Sequence, residues 1–574
     1  MIGRSAEYGH TEAVMTADAI DYQRLEFPYV RSPDQAASMP VRHPVIIVGA
    51  GPVGLAAAID LAQAGHQVLV LDDDDRLSNG SRAICFAKRT LEIADRLGLG
   101  QRLVDKGVTW NTGKVFLRDA LLYSFDLQPL SGQHRPAFIN LQQYYVEGYL
   151  LERASELSNL EIRWKNRVIS VAAEPDGVRI DIDTPDGPYV LEADWLIAAD
   201  GGRSGVRRAL GLESRGHTFR DRFLIADVRM TADFPAERWF WFDPAFHPRQ
   251  SVLLHQQPDN IWRIDFQLGW DADPELEKRP ERVVPRVSAL LGADAKFELE
   301  WVSVYTFGCQ RLDRFRHGRV LFAGDSAHGV SPFGARGANS GIQDADNLAW
   351  KMALVLEGAA PDSLLDSYDH ERGAAADENI LNSTRSTDFI TPKTEASRAL
   401  RDATLELARE CGFARRLVNS GRLSIPSTYH CSPLNTPDTD TFVGAMVPGA
   451  AATDAALRHN GRADWFLAHC SGGFTLVVFL DTGCASVVSL AAAKSLASAP
   501  VPVHTRLIAP KGARPHAALF EDVTGGLAQH YDAKPGTVYL LRPDQHVAAR
   551  WRAFDADAVT RAVSRATGHS DDLR

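Results

Sequence analysis

The chain has 574 residues, 45% of them hydrophobic and 24% charged, with a formal net charge of −11. That length exceeds one hydrophobic core and suggests about three to four domains, and the acidic balance excludes a general nucleic-acid binder, whose affinity rests on a basic surface. No apolar run reaches 18 residues, so no membrane span is expected. Met1 to Pro44 is polar, acidic and broken by prolines, unlike a signal peptide. Six cysteines, at 85, 309, 411, 431, 470 and 484, form no Cys-x-x-Cys pair, so neither a metal site nor a redox dithiol is expected. Such sparse use fits reduced thiols in a cytoplasm.

Residues 1–42 are an extension without a motif, either flexible or wrapped on a neighbouring surface. The β-branched run to Val48 predicts a buried parallel strand, which enters Gly49-Ala-Gly51-Pro52-Val-Gly54 and a helix-forming segment stopped at Gly65. Gly49 permits the tight turn, Gly51 the approach of a pyrophosphate, and Gly54 close packing of helix on strand. The helix start supplies free N–H groups to a phosphate. A second strand, Gln67 to Leu71, ends at Asp72, where an acid grips a ribose hydroxyl. Asp73, Asp74 and Asp75 disfavour the phosphate of NADP, leaving FAD or NAD.

Two more glycine-rich motifs follow strand-like runs. One is Asp200-Gly201-Gly-Arg203-Ser204-Gly-Val-Arg207. The other is Gly324-Asp325-Ser-Ala-His328 with Pro332-Phe-Gly334-Ala-Arg336-Gly337-Ala-Asn339, leading into a helix. A carboxylate such as Asp325 at a buried strand end is poised to accept hydrogen bonds from a polyol. Between these motifs the periodicity shifts to two, predicting antiparallel strands at Arg238–Phe242, Ser251–His255 and Ile261–Gln267. Alternation puts Arg263, Asp265 and Gln267 on one face and Trp262, Ile264 and Phe266 on the other. Trp239, Trp241 and His255 either line a pocket or are plain core.

Pro426 to Pro448 reads as a linker. Strand-like runs at Phe474–Phe479, Val501–Ile508 and Thr537–Asp544 then alternate with helical segments. His469-Cys470-Ser-Gly-Gly has no second cysteine, so thiol exchange lacks its resolving partner.

Together these motifs resemble the single-component FAD-dependent aromatic hydroxylases, a group that includes para-hydroxybenzoate, phenol and 3-(3-hydroxyphenyl)propionate hydroxylases; the chain looks most similar to the last two. The resemblance runs from about residue 43 to about 390 and more weakly to the C-terminus. It implies a mixed α/β (α+β) fold: a Rossmann-like FAD-binding domain of the para-hydroxybenzoate hydroxylase type (43–115, 140–222 and 305–395), an antiparallel-sheet substrate domain (116–139 and 223–304), a helical segment and linker (396–440), and a redox-inert thioredoxin-like domain (441–574) serving packing or dimer contacts.

By the same resemblance Asp200 lies where FAD and the nicotinamide nucleotide pass, and Asp325 binds the ribitol of FAD. Arg82 contacts the ribose and pyrophosphate region, and Gln143 opens a helix touching the cofactor. The loop Pro332, Gly334, Arg336, Gly337 and Asn339 lies against the flavin ring; Arg336 either strengthens negative charge on the reduced ring or is a solvated surface group. Arg263 matches an arginine near the flavin and Asp265 a substrate-facing residue that orients or deprotonates a phenol, unless the two form only a surface ion pair. The implied reaction is hydroxylation of a phenolic or hydroxylated heteroaromatic substrate by NADH or NADPH and O2 through a flavin C4a-hydroperoxide, in a cytoplasmic enzyme for which a homodimer is a candidate assembly. A halogenase, a double-bond reductase or a non-catalytic FAD-binding redox sensor are the rival readings; the halogenase signature Trp-x-Trp-x-Ile-Pro is absent, since Trp239-Phe-Trp241 lacks its continuation.

Overall fold

Four strand ends lie flush along one edge of the first sheet, and this brings the three glycine-rich motifs together. In the computed structural model, which describes residues 21–574 except 79, 81, 128–131, 232–233, 293, 419–422, 482–495, 513–518 and 570–574, the parallel strands Val320–Phe322, Tyr189–Ala198, Val41–Val48, Val68–Leu71 and Leu160–Arg163 are neighbours in that order. Val48 pairs in register with Leu71 on one side and Ala198 on the other, and Ala198 with Phe322. The chain therefore leaves the sheet at Gly49, Asp72, Ala199 and Ala323 at one level, the carboxyl edge where open α/β sheets bind ligands. Helices Pro52–Gln63 and Gly337–Leu356 pack together behind that edge. Cys484 and residues 1–20, named above, lie outside the described residues. Residues from 21 onward wrap the domain: Tyr22 is buried against Gly148, where a Cβ would stand 2.2 Å from its ring, and Phe27 stacks on Trp164.

The second sheet has seven strands, ordered Glu298–Tyr305, Arg222–Arg229, Ile261–Leu268, Ser251–Gln256, Arg238–Phe242, Thr112–Leu117 and Ala120–Asp126. It is antiparallel except where Arg238–Phe242 meets Thr112–Leu117 in parallel. The expected boundary at 115 thus cuts a strand; Thr112–Leu117 belongs whole to this sheet. One face is apolar, with Leu224, Val228, Trp262, Ile264 and Phe266 packed among Val283 and Val287 of the helix Pro280–Leu291. The other face turns toward the motif edge.

The C-terminal unit holds a mixed seven-stranded sheet in which Phe474–Phe479 runs parallel to Val503–Pro510 and antiparallel to Val538–Leu541. Cys470 is fully buried and its thiol donates to the Phe466 carbonyl; burial pushes the thiol well up, so it carries no thiolate chemistry. A buried charge cluster fastens this unit to the first domain. Arg542 bonds both oxygens of Glu371 and both of Asp544, and Lys351 Nζ lies 2.7 Å from Glu371 Oε2. All four groups are removed from water. No helix among the described residues is long and apolar enough to cross a membrane.

Candidate active site

The first glycine motif divides its labour as expected. Gly49 has φ +107°, and a Cβ there would stand 2.5 Å from the Ala199 carbonyl oxygen. A Cβ on Gly54 would be 1.9 Å from the Gly49 oxygen, so helix and turn touch directly. Gly51 differs: a Cβ would meet nothing within 4 Å. The protein's own packing does not require that glycine, whereas a phosphate approaching the helix start beside Pro52 does. Asp72 accepts from Ala50 N at 2.6 Å and from Asp74 N at 2.9 Å, bracing the loop it faces. Burial lifts it to about 6, with Asp73 and Asp74 adding to the rise.

Asp200 accepts from Val206 N at 3.0 Å through one oxygen, while the other, Oδ1, is buried without a partner. An orphaned buried acceptor carries a desolvation cost that a ligand hydroxyl removes. Asp325 is solvent-exposed, yet its surroundings desolvate it enough to raise its pKa, which describes a carboxylate on the floor of a cleft. His328 and the exposed Arg82 pull that pKa back down through space. The open space over Gly51, the orphaned Asp200 oxygen and the cleft carboxylate of Asp325 fit a flavin dinucleotide laid along the edge.

Other expected contact residues act as braces. Gln143 is the first residue of its helix; it accepts from Ala83 N at 3.0 Å and donates to Ser78 and Glu147, pinning the loop that carries Arg82. Asn339 is buried with its amide fully used, accepting from Ala87 N and Thr90 Oγ1 and donating to the Cys85 and Ala335 carbonyls. Pro332 is exposed, Gly334 is buried with φ +101°, and Gly337 opens the helix Gly337–Leu356. Arg336 is 2% exposed, which removes the solvated-surface reading: its Nη1 donates to the Phe333 carbonyl at 3.1 Å along Gly334. Sequence reasoning missed Asp344, which accepts from Gly324 N, His328 Nε2 and Arg372 Nε at 2.9, 2.6 and 2.6 Å. The signal was there: this helix is buried around its circumference yet carries Asp344, Asp346, Asn347 and Lys351.

On the substrate sheet, the ion pair between Arg263 and Asp265 does not form. Residues two apart on a strand are separated along it, whereas the cross-strand partner lies directly opposite. Arg263 is accordingly paired with Asp227, in register across the neighbouring strand, by two 2.8 Å bonds, and its Nη1 reaches the Arg82 carbonyl at 3.1 Å. Asp265 is buried, lifted to about 6 by desolvation against the opposing pull of Arg263. His255 shares this face and is held well below its ordinary value, hence neutral. It stands 4.0 Å from Asp265 on one side and 4.0 Å from the Cys85 sulfur on the other.

Trp239 and Trp241 are not pocket residues. They pack with Phe116 on the opposite, helix-covered face. The pocket face of that strand carries Arg238, Phe240 and Phe242, one residue out of phase with the two tryptophans, which take the plain-core alternative. These three line a cavity bordered on its far side by Phe333, Gly334 and the helix residue Ile390.

A profile of the family described as FAD binding domain matches residues 42–383. The chain is 28% identical over 539 residues to a 3-(3-hydroxy-phenyl)propionate/3-hydroxycinnamic acid hydroxylase of Mycolicibacterium smegmatis, spanning 91% of this chain and 92% of the relative. It is 32% identical over 539 residues to 6-methylpretetramide 4-monooxygenase of Streptomyces rimosus, spanning 90% and 92%. Among solved structures it superimposes on the flavin-dependent monooxygenase PieE, crystallised with FAD and substrate, with TM-score 0.79 at 22% identity, covering 93% of this chain and 100% of that one. The match to OxyS anhydrotetracycline hydroxylase from Streptomyces rimosus has TM-score 0.68 at 26% identity, covering 92% and 99%.

Proposed function

This chain belongs to the FAD binding domain family of single-component aromatic hydroxylases, and from that premise we propose that it hydroxylates an extended, multi-ring phenolic compound, with Asp265 taking up the phenolic proton. It is an FAD-dependent monooxygenase; the named relatives leave no support for the halogenase, reductase or sensor readings. Bound FAD supplies electrons from NADH or NADPH to O2 and delivers one oxygen atom to the ring.

The observation that carries the substrate class is the cavity between the sheet face and the Phe333–Gly334 loop. Phe240, Phe242 and Phe333 line it and offer an extended set of flat apolar contacts to an aromatic frame. The Streptomyces rimosus relative named for 6-methylpretetramide supports the same class.

The chain's own chemistry follows from its charges. A phenol with a pKa of about 10 is a weak carbon nucleophile until its proton is removed. Asp265, ionised above about pH 6, is a stronger base than an ordinary carboxylate and is close to operating pH. Arg263 transfers no proton; locked onto Asp227, it fixes a positive charge beside Asp265 and ties the sheet to the Arg82 loop. The neutral His255, 4.0 Å from Asp265, adds no positive charge beside it. The five described cysteines are free thiols, which supports a cytoplasmic enzyme.

The test is a panel of monocyclic and polycyclic phenols offered to the yellow holoenzyme, reading substrate-stimulated NAD(P)H oxidation and products one oxygen heavier by mass spectrometry. Polycyclic phenols should be converted best. Conversion of single-ring phenols alone would overturn the substrate class, and no oxygenated product from any ring would overturn the hydroxylase reading.

A further inference from the structure

We propose that Arg238 is the receptor for an ionised oxygen of the substrate, so that this enzyme selects acidic aromatic ring systems over neutral ones of the same shape. The residue stands on the pocket face of its strand with Phe240 and Phe242, and it lines the cavity. It is 8% exposed, and its Nη1 is sealed from solvent with no hydrogen-bond partner. Buried guanidinium donors are almost always closed by protein groups, because an unpaired buried donor on a charged group is costly.

Among the described residues, the neighbouring cations Arg263, Lys114 and Arg336 are engaged. Arg263 is bound to Asp227 through both arms. Lys114 Nζ lies 2.7 Å from Glu237 Oε2. Arg336 donates to the Phe333 carbonyl. Among the described residues no carboxylate forms an ion pair with Arg238. The charge on Arg238 is offset only through space, by Asp265, since burial keeps Cys85 and Tyr305 protonated. Its donors are therefore held ready for a group that enters the cavity, and that group is an acceptor, best an anion.

The proton balance agrees with this assignment, which rests on the hydroxylase reading only in taking the cavity as the substrate's. When a ring hydroxyl gives its proton to Asp265, the O–H bond breaks and its electron pair stays on the ring oxygen. Asp265 becomes neutral, and Arg238 loses the negative charge that offset it. The new oxyanion restores that balance. No oxidant or reductant enters the step. A carboxylate elsewhere on the ring frame would use the same donors.

The test measures binding to the holoenzyme, read from the change in flavin absorbance, for anthraquinone-2-carboxylate, its neutral primary amide, and alizarin above and below ionisation of its phenol. The wild type should bind the anions about ten- to a hundredfold more tightly than the neutral forms, the span of a charged hydrogen bond. Arg238→Gln should erase that preference by weakening the anions far more than the amide, and Arg238→Lys should keep part of it. The carboxylate and alizarin arms show which acidic oxygen the site takes. No preference in the wild type, a result that needs no variant to fold, would overturn the proposal, as would a preference undiminished in Arg238→Gln. If the preference is present and lost in the variant but no ring is ever oxygenated, the hydroxylase reading fails and the assignment of Arg238 stands.

Discussion

Arg263 and Asp227 face each other across neighbouring strands in a two-armed ion pair, Nε to Oδ1 and Nη2 to Oδ2 both at 2.8 Å, with neither side chain more than 3% exposed. A buried pair of this kind contributes little over an apolar pair, but removing one partner strands the other charge. Asp227→Ala should therefore lower unfolding free energy by about 3–5 kcal/mol, read in urea. The double variant Asp227→Leu with Arg263→Met should recover most of that loss. If the single variant is as stable as wild type, the guanidinium finds another acceptor and the pairing is not what holds these strands in register.

Asp265 sets the acid limb of the pH profile. Its carboxylate must be ionised to accept a phenolic proton, and burial has raised its pKa to about 6. The value of kcat/KM should rise with pH through about 6 and then level. Asp265→Asn should lose that limb and about 10²–10⁴ in kcat, the usual worth of a general base, while still binding FAD. A variant with wild-type turnover would show that the phenol loses its proton elsewhere.

The cofactor edge was legible in the sequence because its signals are local. Gly49, Gly51, Gly54 and Asp72 sit at fixed spacings, and the strand runs before Asp200 and Gly324 announce parallel neighbours whose ends must meet. The substrate face was legible in one strand and not the next. Alternation places Arg263 and Asp265 on one side, but a lone run such as Arg238–Phe242 does not disclose which of its two faces is buried against the helix, so pocket and core both stay open for Trp239 and Trp241 until the sheet is seen. Partners at long separation, Asp227 for Arg263 and Asp344 for Gly324, depend on register and helix docking, which periodicity does not encode. Asn339 and Gln143 were found as residues but not as braces, since an amide's role follows from what surrounds it.

The joint between the C-terminal unit and the first domain should behave as one cooperative element. Glu371 receives Arg542 and Lys351 in a fully buried site, and those cations hold its carboxyl well below the ordinary 4.5 against the upward pull of burial. A depressed carboxylate contributes stability that is present above its unfolded pKa and lost as pH falls through its folded one. Glu371→Gln should thus cost about 3–5 kcal/mol at neutral pH. The gap between variant and wild type should stay constant down to about pH 4.5 and close only in stronger acid. Thermal melts across pH, with limited proteolysis to see whether the C-terminal unit detaches, check both parts. A gap that narrows between pH 8 and 6 would assign the stabilisation to another group.

Two glycines three residues apart should fail in opposite ways. A Cβ on Gly54 would press to 1.9 Å from the Gly49 oxygen, so Gly54→Ala must push the helix Pro52–Gln63 off the strand Val41–Val48 and should lower apoprotein stability by several kcal/mol. Gly51 has φ −75° and open space where its Cβ would go, so Gly51→Ala should leave the apoprotein within about 1 kcal/mol of wild type. That same methyl group would occupy the approach to the helix N-terminus, where a pyrophosphate needs backbone N–H groups at hydrogen-bond distance. FAD should then dissociate on gel filtration, leaving colourless but folded protein. Melting the two apo variants side by side and titrating each with FAD separates the effects. If Gly51→Ala keeps its flavin at wild-type affinity, the dinucleotide does not cross the sheet edge at this turn.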